Sequence, residues 1–342
     1  MTQSRQSSFL NFRTLWDSAG MLVVFLLLFL GCCVFVPHFN SKNNLIGLGL
    51  LITTVGIISC TMLLCMAAGD FDLSIGSILA MAEVIVALLI NYTGKSVPIG
   101  AFGHTFFSVP FPANPTLAMV VAGLVAILAG GLVGFFNGFV IAKLGINALI
   151  TTLATMQIVR GLCFIISSGQ AIGVANPDFA YLGNAMWLGL PLPVWIMVGC
   201  WIIFGLLLHK STFGRNTLAI GGNREAARLA GINVTRDKII IFTLQGLVSA
   251  FAGVVAASQF TSGQPNDGMG LELKVIAACV LGGVSLTGGI GTILSVIVGT
   301  LIMGTVQNAM DLKNVPTFYQ YVASGSILLA AVLLDRLKQQ GG

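Results

Sequence analysis

The sequence predicts an all-α membrane protein, a polytopic bundle of about ten transmembrane helices of which some are short or broken. The chain of 342 residues is 56% hydrophobic and only 8% charged, whereas soluble proteins carry roughly 25% charged residues. It therefore has too little polar surface to cover itself in water. Its apolar residues fall into ten stretches, and most of them approach the ~20 residues that a helix needs to cross a bilayer. The largest charged, polar segment between these stretches is 210–238.

The predicted spans follow one another along a single transmembrane domain that covers 1–342. The first begins after Arg5 and Arg13 and lacks a small-residue cleavage site, so we expect an uncleaved span rather than a signal peptide. The stretches that begin at Leu73, Val194 and Leu273 are short enough to be tilted or partly re-entrant. The spans are 21–36, 45–68, 73–91, 116–142, 148–166, 194–208, 239–258, 273–286, 293–310 and 319–334.

The distribution of basic residues predicts the orientation, because Lys and Arg are retained on the cytoplasmic side during insertion. With the N-terminus inside, only Lys42, Lys95 and Lys313 lie outside. A version with nine spans would also place Arg336 and Lys338 outside. We therefore expect a multi-pass protein of a bacterial inner membrane with both termini in the cytoplasm and with 210–238 as a cytoplasmic loop. The inner set is Arg5, Arg13, Lys143, Lys210, Arg215, Arg224, Arg228, Arg236, Lys238, Arg336 and Lys338.

A short helix is predicted within the loop 210–238. Asn223 is a good N-cap residue, Ala226 and Ala227 favour a helix with an apolar side, and Gly231 is a typical residue just after a helix end. We expect an amphipathic helix presented between two loops. A helix of this size is not stable alone and needs a surface to dock on. Either it rests on the membrane or on its own bundle, or it docks on a cytoplasmic partner.

Polar residues within or beside the spans are candidates for a translocation path. Asp70 and Asp72 are costly at membrane depth, where ionisable groups tend to be functional. The alternative is that Asp72 or Ser74 caps the third helix. For the amides, the alternative is hydrogen bonding between helices, and Arg160 is expected to snorkel or to pair with a carboxylate. The candidate path residues are Asp70, Asp72, Asn137, Asn147, Gln157, Gln307 and Asn308.

The sequence gives no reason to expect an enzyme, a cofactor or a metal site. The segment Gly94-Lys95-Ser96 lacks the glycine that a phosphate-binding loop requires five positions before Gly94, where Leu89 stands. The glycine-rich segment 281–291 has no lysine and predicts a tight turn or a broken helix. The seven cysteines lie within apolar stretches without metal-ligand spacing. Transport powered by ATP would therefore require a separate ATP-hydrolysing subunit.

Several motifs together resemble one family over nearly the whole chain. The chain is similar to the membrane permease subunits of bacterial ABC importers for monosaccharides, the ribose/xylose/arabinose class, and within it to the permeases for L-arabinose. One departure is the outer segment 95–115, which is longer than the family pattern. The motifs begin at Ala68 (Ala-Gly-Asp-Phe-Asp-Leu-Ser-Ile-Gly), at Ile146 (Ile-Asn-Ala-Leu-Ile-Thr-Thr-Leu), at Thr212 (Thr-Phe-Gly-Arg), at Gly221 (Gly-Gly-Asn), at Thr261 (Thr-Ser-Gly-Gln-Pro) and at Val280 (Val-Leu-Gly-Gly-Val-Ser-Leu).

The resemblance implies a permease that works with a second permease copy, a periplasmic sugar-binding protein and two cytoplasmic ATP-binding subunits. It also implies that 222–232 couples the permease to the ATP-binding subunits. The alternative from another class is a secondary sugar transporter driven by an ion gradient, for which buried carboxylates are expected, and Glu83 is the best candidate. The residues that take the coupling role are Asn223, Glu225, Ala226, Ala227, Arg228 and Gly231.

Overall fold

The computed structural model describes residues 20–101 and 104–340 and confirms a mostly helical membrane protein. Six helices of the described part are long and apolar enough to cross a membrane, and two further apolar helices are shorter. The long helices are α2 (Lys42–Ala67), α4 (Pro115–Lys143), α5 (Ala148–Ser167), α7 (Leu192–Lys210), α10 (Val234–Phe260) and α12 (Ile293–Leu312). The shorter apolar helices are α1 (Gly20–Phe35) and α3 (Ile75–Asn91).

The remaining helices show where the predicted spans are incomplete. The stretch 273–286 becomes α11 (Leu271–Leu281), which has 11 residues and rises only about 16 Å. The stretch predicted at 194–208 instead forms the longer α7 and meets the length of a span. The number of ten spans stays a prediction. The other helices are α6 (Tyr181–Asn184), α8 (Thr212–Gly222), α9 (Arg224–Leu229) and α13 (Thr317–Gln340).

Short strands in the connections correct the all-α prediction. A hairpin of β1 (Ser96–Ala101) and β2 (His104–Pro110) fills most of the segment between α3 and α4. The prolines of this segment break helices, and its Thr, Phe and Val residues favour an extended backbone. Two smaller antiparallel pairs join β3 (Ile172–Gly173) to β6 (Ser262–Gly263) and β4 (Met186–Trp187) to β5 (Leu190–Pro191).

The chain forms two compact units. Among the described residues, the first unit contains those up to Asp70, Met197–Asp237 and those from Leu273 onward, and the second contains those of Phe71–Ile196 and Lys238–Glu272.

Within the first unit, α2 and α12 lie antiparallel. At one end, the side chains of Asn44 and Asn308 exchange two hydrogen bonds of 2.9 Å. At the other end, the residues just before α12 meet the end of α2, where the Gly289 N–H donates to the Ala67 carbonyl over 2.9 Å.

Within the second unit, α10 approaches α4 along a row of glycines. A Cβ atom added to Gly134 would lie 2.2 Å from the Phe242 carbonyl oxygen, and one added to Gly246 would lie 2.2 Å from the Gly130 carbonyl oxygen. Small residues allow membrane helices to approach closely, since lipid provides no hydrophobic drive for their association. Gly123 of α4 is an exception, because a Cβ atom added there would make only an ordinary contact.

Candidate coupling and translocation sites

The predicted short helix of the loop 210–238 is present as α9, and its two ends form as the local sequence predicts. The Asn223 Oδ1 atom accepts a hydrogen bond of 2.9 Å from the Ala226 N–H. After the helix, Gly231 has a φ of 85°, and its N–H donates to the Arg228 carbonyl over 3.0 Å. The Ile232 N–H donates to the Ala227 carbonyl over 3.1 Å. These two bonds form a Schellman motif, which ends the helix.

The surroundings of α9 differ from the prediction in two respects. It is not presented by two loops, because α8 ends at Gly222 and leaves Asn223 alone between the two helices. It is also not amphipathic, since Ala227 is buried at 4% exposure while Leu229 is 87% exposed. Ala226 and Ala230 are exposed as well. A helix of six residues makes fewer than two turns, so it has no continuous side to bury.

The polar residues of α9 face outward, because Glu225 and Arg228 are both exposed. The exposed surface of α9 therefore combines an acidic group, a basic group and the apolar Leu229. We call this exposed surface of Glu225, Ala226, Arg228 and Leu229 the α9 surface.

Gly221, at the end of α8, connects this region to the rest of the first unit. A Cβ atom added to Gly221 would lie 1.9 Å from the Ala67 carbonyl oxygen and 2.5 Å from the Gly289 nitrogen. Gly288 and Gly289 have positive φ values of 92° and 77° and form the turn that the sequence predicts within 281–291. The end of α8, the end of α2 and this turn are thus in backbone contact.

A second connection joins α8 to the start of α10. The Asn216 Nδ2 atom donates to Asp237 Oδ2 over 3.0 Å, and Asp237 is buried at 7% exposure. The loop 210–238 is therefore a folded helical element that holds α9 in place from both sides.

Among the candidate path residues, Asp72 and Asn137 come together in the second unit. The Asp72 Oδ1 atom accepts from the Ser74 N–H over 2.8 Å and from the Ser74 hydroxyl over 2.5 Å. Asn137 donates to the Ser74 Oγ atom over 3.0 Å, and Thr155 donates to the Asn137 Oδ1 atom over 2.7 Å. Asp72, Ser74 and Asn137 are fully buried. This Asp72–Thr155 network ties the start of α3 to α4 and α5 through Asn137, which agrees with the alternative of hydrogen bonding between helices for the amides. The capping alternative differs from the structure, because Ser74 makes no side-chain cap bond to α3.

The other candidate path residues lie apart from this network. In the second unit, Asn147 caps α5 by accepting from the Leu149 N–H over 2.8 Å, and Gln157 is exposed on α5. In the first unit, Asp70 is half-buried after the end of α2. Gln307 donates to Gln320 on α13, while Asn308 bonds Asn44 as described above.

A polar cluster that the sequence pattern does not predict surrounds the segment 262–270, between α10 and α11. Arg160 is buried at 9% exposure and neither snorkels nor pairs with a carboxylate as predicted. It donates instead to the carbonyls of Pro265 and Asp267 over 2.6 and 2.7 Å. Glu83 accepts from the Gln264 N–H over 3.1 Å. The segment lies between two apolar stretches and contains one proline and three glycines. These residues are the feature of the sequence that predicts an irregular backbone here.

The comparisons with known proteins agree with these features. The model of the family described as "branched-chain amino acid transport system / permease component" matches residues 44–332. The chain is 58% identical over 335 residues to the L-arabinose transport system permease protein AraH of Escherichia coli (strain K12), covering 98% of this chain and 95% of that protein.

Two further relatives are more distant. An L-arabinose ABC transporter permease protein AraH of Azospirillum brasilense is 47% identical over 94% of this chain and 88% of its own length. The ribose import permease protein RbsC of Bacillus subtilis (strain 168) is 39% identical over 88% of this chain and 87% of its own length. No solved structure matches the chain significantly.

Two threonines of α5 provide a test of the Asp72–Thr155 network. Thr155→Val removes the donor to Asn137, whereas Thr152→Val removes a hydroxyl that bonds only backbone carbonyls of α5. We expect Thr155→Val to lower the free energy of unfolding by about 0.5–2 kcal/mol, the range for hydrogen bonds between membrane helices. Thr152→Val should cost less. Unfolding of the purified protein in detergent measures both, and equal losses would contradict the role of the network.

Gly221 and Gly222 form a matched pair for the contact between α8 and α2. Gly221→Ala places a methyl group against backbone atoms of Ala67 and Gly289, which cannot move aside as a flexible side chain can. Gly222→Ala meets no atom within 4 Å. We expect Gly221→Ala to lower the melting temperature of the purified protein and to expose α8 to proteolysis, while Gly222→Ala leaves both unchanged. Identical behaviour of the two variants would refute the contact.

Proposed function

Because the chain belongs to the family of branched-chain amino acid transport system permease components, we propose that it is the membrane-spanning subunit of an ATP-driven ABC importer for a monosaccharide, with L-arabinose as the first candidate. The family match covers residues 44–332. The observation that carries the choice of a sugar is the high identity, over almost the full length of both chains, to a permease that is named for L-arabinose.

The family description and the names of the relatives point to different solutes, and the relatives decide between them. The family description names branched-chain amino acids. The two relatives named for L-arabinose are 58% and 47% identical to the chain, and the one named for ribose is 39% identical. The same order of identities favours L-arabinose over ribose, and it leaves xylose and galactose as further candidates to be measured.

Hydrolysis of ATP is assigned to separate cytoplasmic subunits in this proposal. The chain has no phosphate-binding loop in its sequence, so a separate ATP-hydrolysing subunit must dock on it. The α9 surface suits such docking, since it presents the exposed Leu229 between Glu225 and Arg228. The proposal places both termini in the cytoplasm, as the positive-inside rule favours, and includes ten spans, a second permease copy and a periplasmic binding protein that delivers the sugar.

The contacts of α9 support a mechanism for coupling. When ATP-binding subunits close, they would displace α9, and Gly221 would transmit the displacement to the end of α2 and to the turn before α12. Nucleotide would act by binding one conformation of the assembly more tightly and so shifting the population of outward-open and inward-open states. The predicted coupling residues thus divide into structural ones, Asn223, Ala227 and Gly231, and exposed docking ones, Glu225, Ala226 and Arg228.

Uptake by cells tests the proposed substrate. The chain, produced in bacteria that lack their own L-arabinose permease but keep the other subunits of that importer, should restore accumulation of radiolabelled L-arabinose. Accumulation of D-ribose, D-xylose and D-galactose should be lower, and that of L-leucine should stay at background. Leucine uptake without sugar uptake would reject the choice of a monosaccharide, and ribose uptake above arabinose uptake would reject L-arabinose.

The exposed Leu229 provides a test of docking that the buried Ala227 does not, because a larger side chain at Ala227 would also disturb packing. Leu229→Glu places a charge on the α9 surface, whereas Leu229→Met keeps it apolar. We expect Leu229→Glu to reduce both co-purification of the ATP-binding subunit and sugar uptake at least tenfold, with normal amounts of permease in the membrane. Leu229→Met should keep both. If the ATP-binding subunit co-purifies with Leu229→Glu as it does with the parent protein, α9 is not the docking element.

A further inference from the structure

The segment 262–270, which we call the re-entrant segment, runs back along α3 inside the second unit. Near its start, a Cβ atom added to Gly263 would lie 2.3 Å from the Glu83 carbonyl oxygen. Near its end, one added to Gly268 would lie 2.6 Å from the Gly76 carbonyl oxygen. The segment therefore follows α3 from its middle to its first turn, a rise of about 10 Å along the helix.

The side chain that holds this segment in place, Arg160, comes from the interior of α5. Arg160, which donates to the carbonyls of Pro265 and Asp267, is about 18 Å along the axis from Ala148, the first residue of α5, and about 10 Å from Ser167, the last. Because α5 is long and apolar enough to cross a membrane, the irregular backbone of the re-entrant segment lies at membrane depth.

The two faces of the segment differ. Gly263, Pro265 and Gly268 are buried against the second unit, while Gln264 and Asn266 are exposed. Irregular backbone does not occur facing lipid at this depth, because its polar groups would lack partners. It is tolerated where it is covered by protein or where it lines a cavity filled with water, as in the broken helices of transporters.

We propose that the face of the re-entrant segment carrying Gln264 and Asn266 lines the aqueous translocation path and contacts the hydroxyl groups of the passing sugar. An amide side chain both donates and accepts hydrogen bonds, and so matches the hydroxyl groups of a monosaccharide. This inference rests on the proposed function, because it needs a polyhydroxylated solute. Glu83 and Arg160 act as positioning residues, since they hold the backbone of the segment from behind.

Cysteine labelling tests whether this face borders water. Asn266→Cys and Gln264→Cys in the assembled transporter should react with a charged methanethiosulfonate reagent above the background of the parent protein. The control is Ile158→Cys, because Ile158 is 61% exposed on α5 and should face lipid, where a charged reagent does not react. Labelling equal to that of Ile158→Cys would overturn the proposal.

Transport measurements test whether the amides contact sugar. Asn266→Leu and Gln264→Leu should reduce the rate of L-arabinose transport about tenfold and change the ratio of L-arabinose to D-ribose transport, while stimulated ATP hydrolysis stays at the parental rate. Gln170→Leu, which changes an exposed amide after α5, should alter neither. An unchanged rate and an unchanged sugar ratio in both variants would overturn the proposal.

The two experiments separate this inference from the proposed function. If the parent protein carries neither sugar, the proposed function fails, and the labelling still decides whether the re-entrant segment faces water. If Asn266→Leu or Gln264→Leu does not assemble, the cysteine variants decide the question. Their labelling should decrease when L-arabinose is transported and should not decrease with L-leucine. Suppression by L-leucine and not by L-arabinose would overturn the assignment to a sugar.

Discussion

Backbone contact at Gly221 connects the α9 surface to the spans of the first unit. The contact joins the end of α8 to the Ala67 carbonyl and to the turn at Gly289, and no side chain larger than hydrogen fits between these atoms. Side chains that rotate would absorb a displacement, whereas backbone atoms in contact pass it on, because protein interiors are closely packed and resist compression. The proposed coupling mechanism depends on this contact, since α9 alone has six residues and cannot act as a rigid body.

The second unit is stabilised by polar contacts between buried groups. The Asp72–Thr155 network joins the start of α3 to α4 and α5, and Arg160 and Glu83 hold the re-entrant segment beside α3. In a membrane such groups have no water as a partner and bond within the protein instead, although within the described residues the Asp72 Oδ2 and Glu83 Oε1 atoms are buried without a hydrogen-bond partner. This explains why Asn137, a candidate path residue, is fully buried, and why the amides that remain exposed at depth are better candidates for contact with a solute.

Local features could be predicted from the sequence, and contacts between distant segments could not. The ends of α9 follow from Asn223 and Gly231, because a cap depends on residues three or four positions apart. The burial of Ala227 depends on the position of α8, which the local pattern does not contain. Arg160 illustrates the same limit, since its partners lie more than 100 residues away, at Pro265 and Asp267. The hairpin between α3 and α4 does not follow from the local pattern, because prolines that break helices do not by themselves indicate paired strands.

Reconstitution tests the central claim most directly, namely that a separate ATP-hydrolysing subunit acts on this chain through α9. The purified permease would be placed in liposomes with or without the ATP-binding subunits, and accumulation of L-arabinose would be measured with the binding protein present. The account predicts accumulation against a gradient only with the ATP-binding subunits and ATP, and inhibition by vanadate. Accumulation by the permease alone, driven by a proton or sodium gradient, would contradict it and favour a secondary transporter.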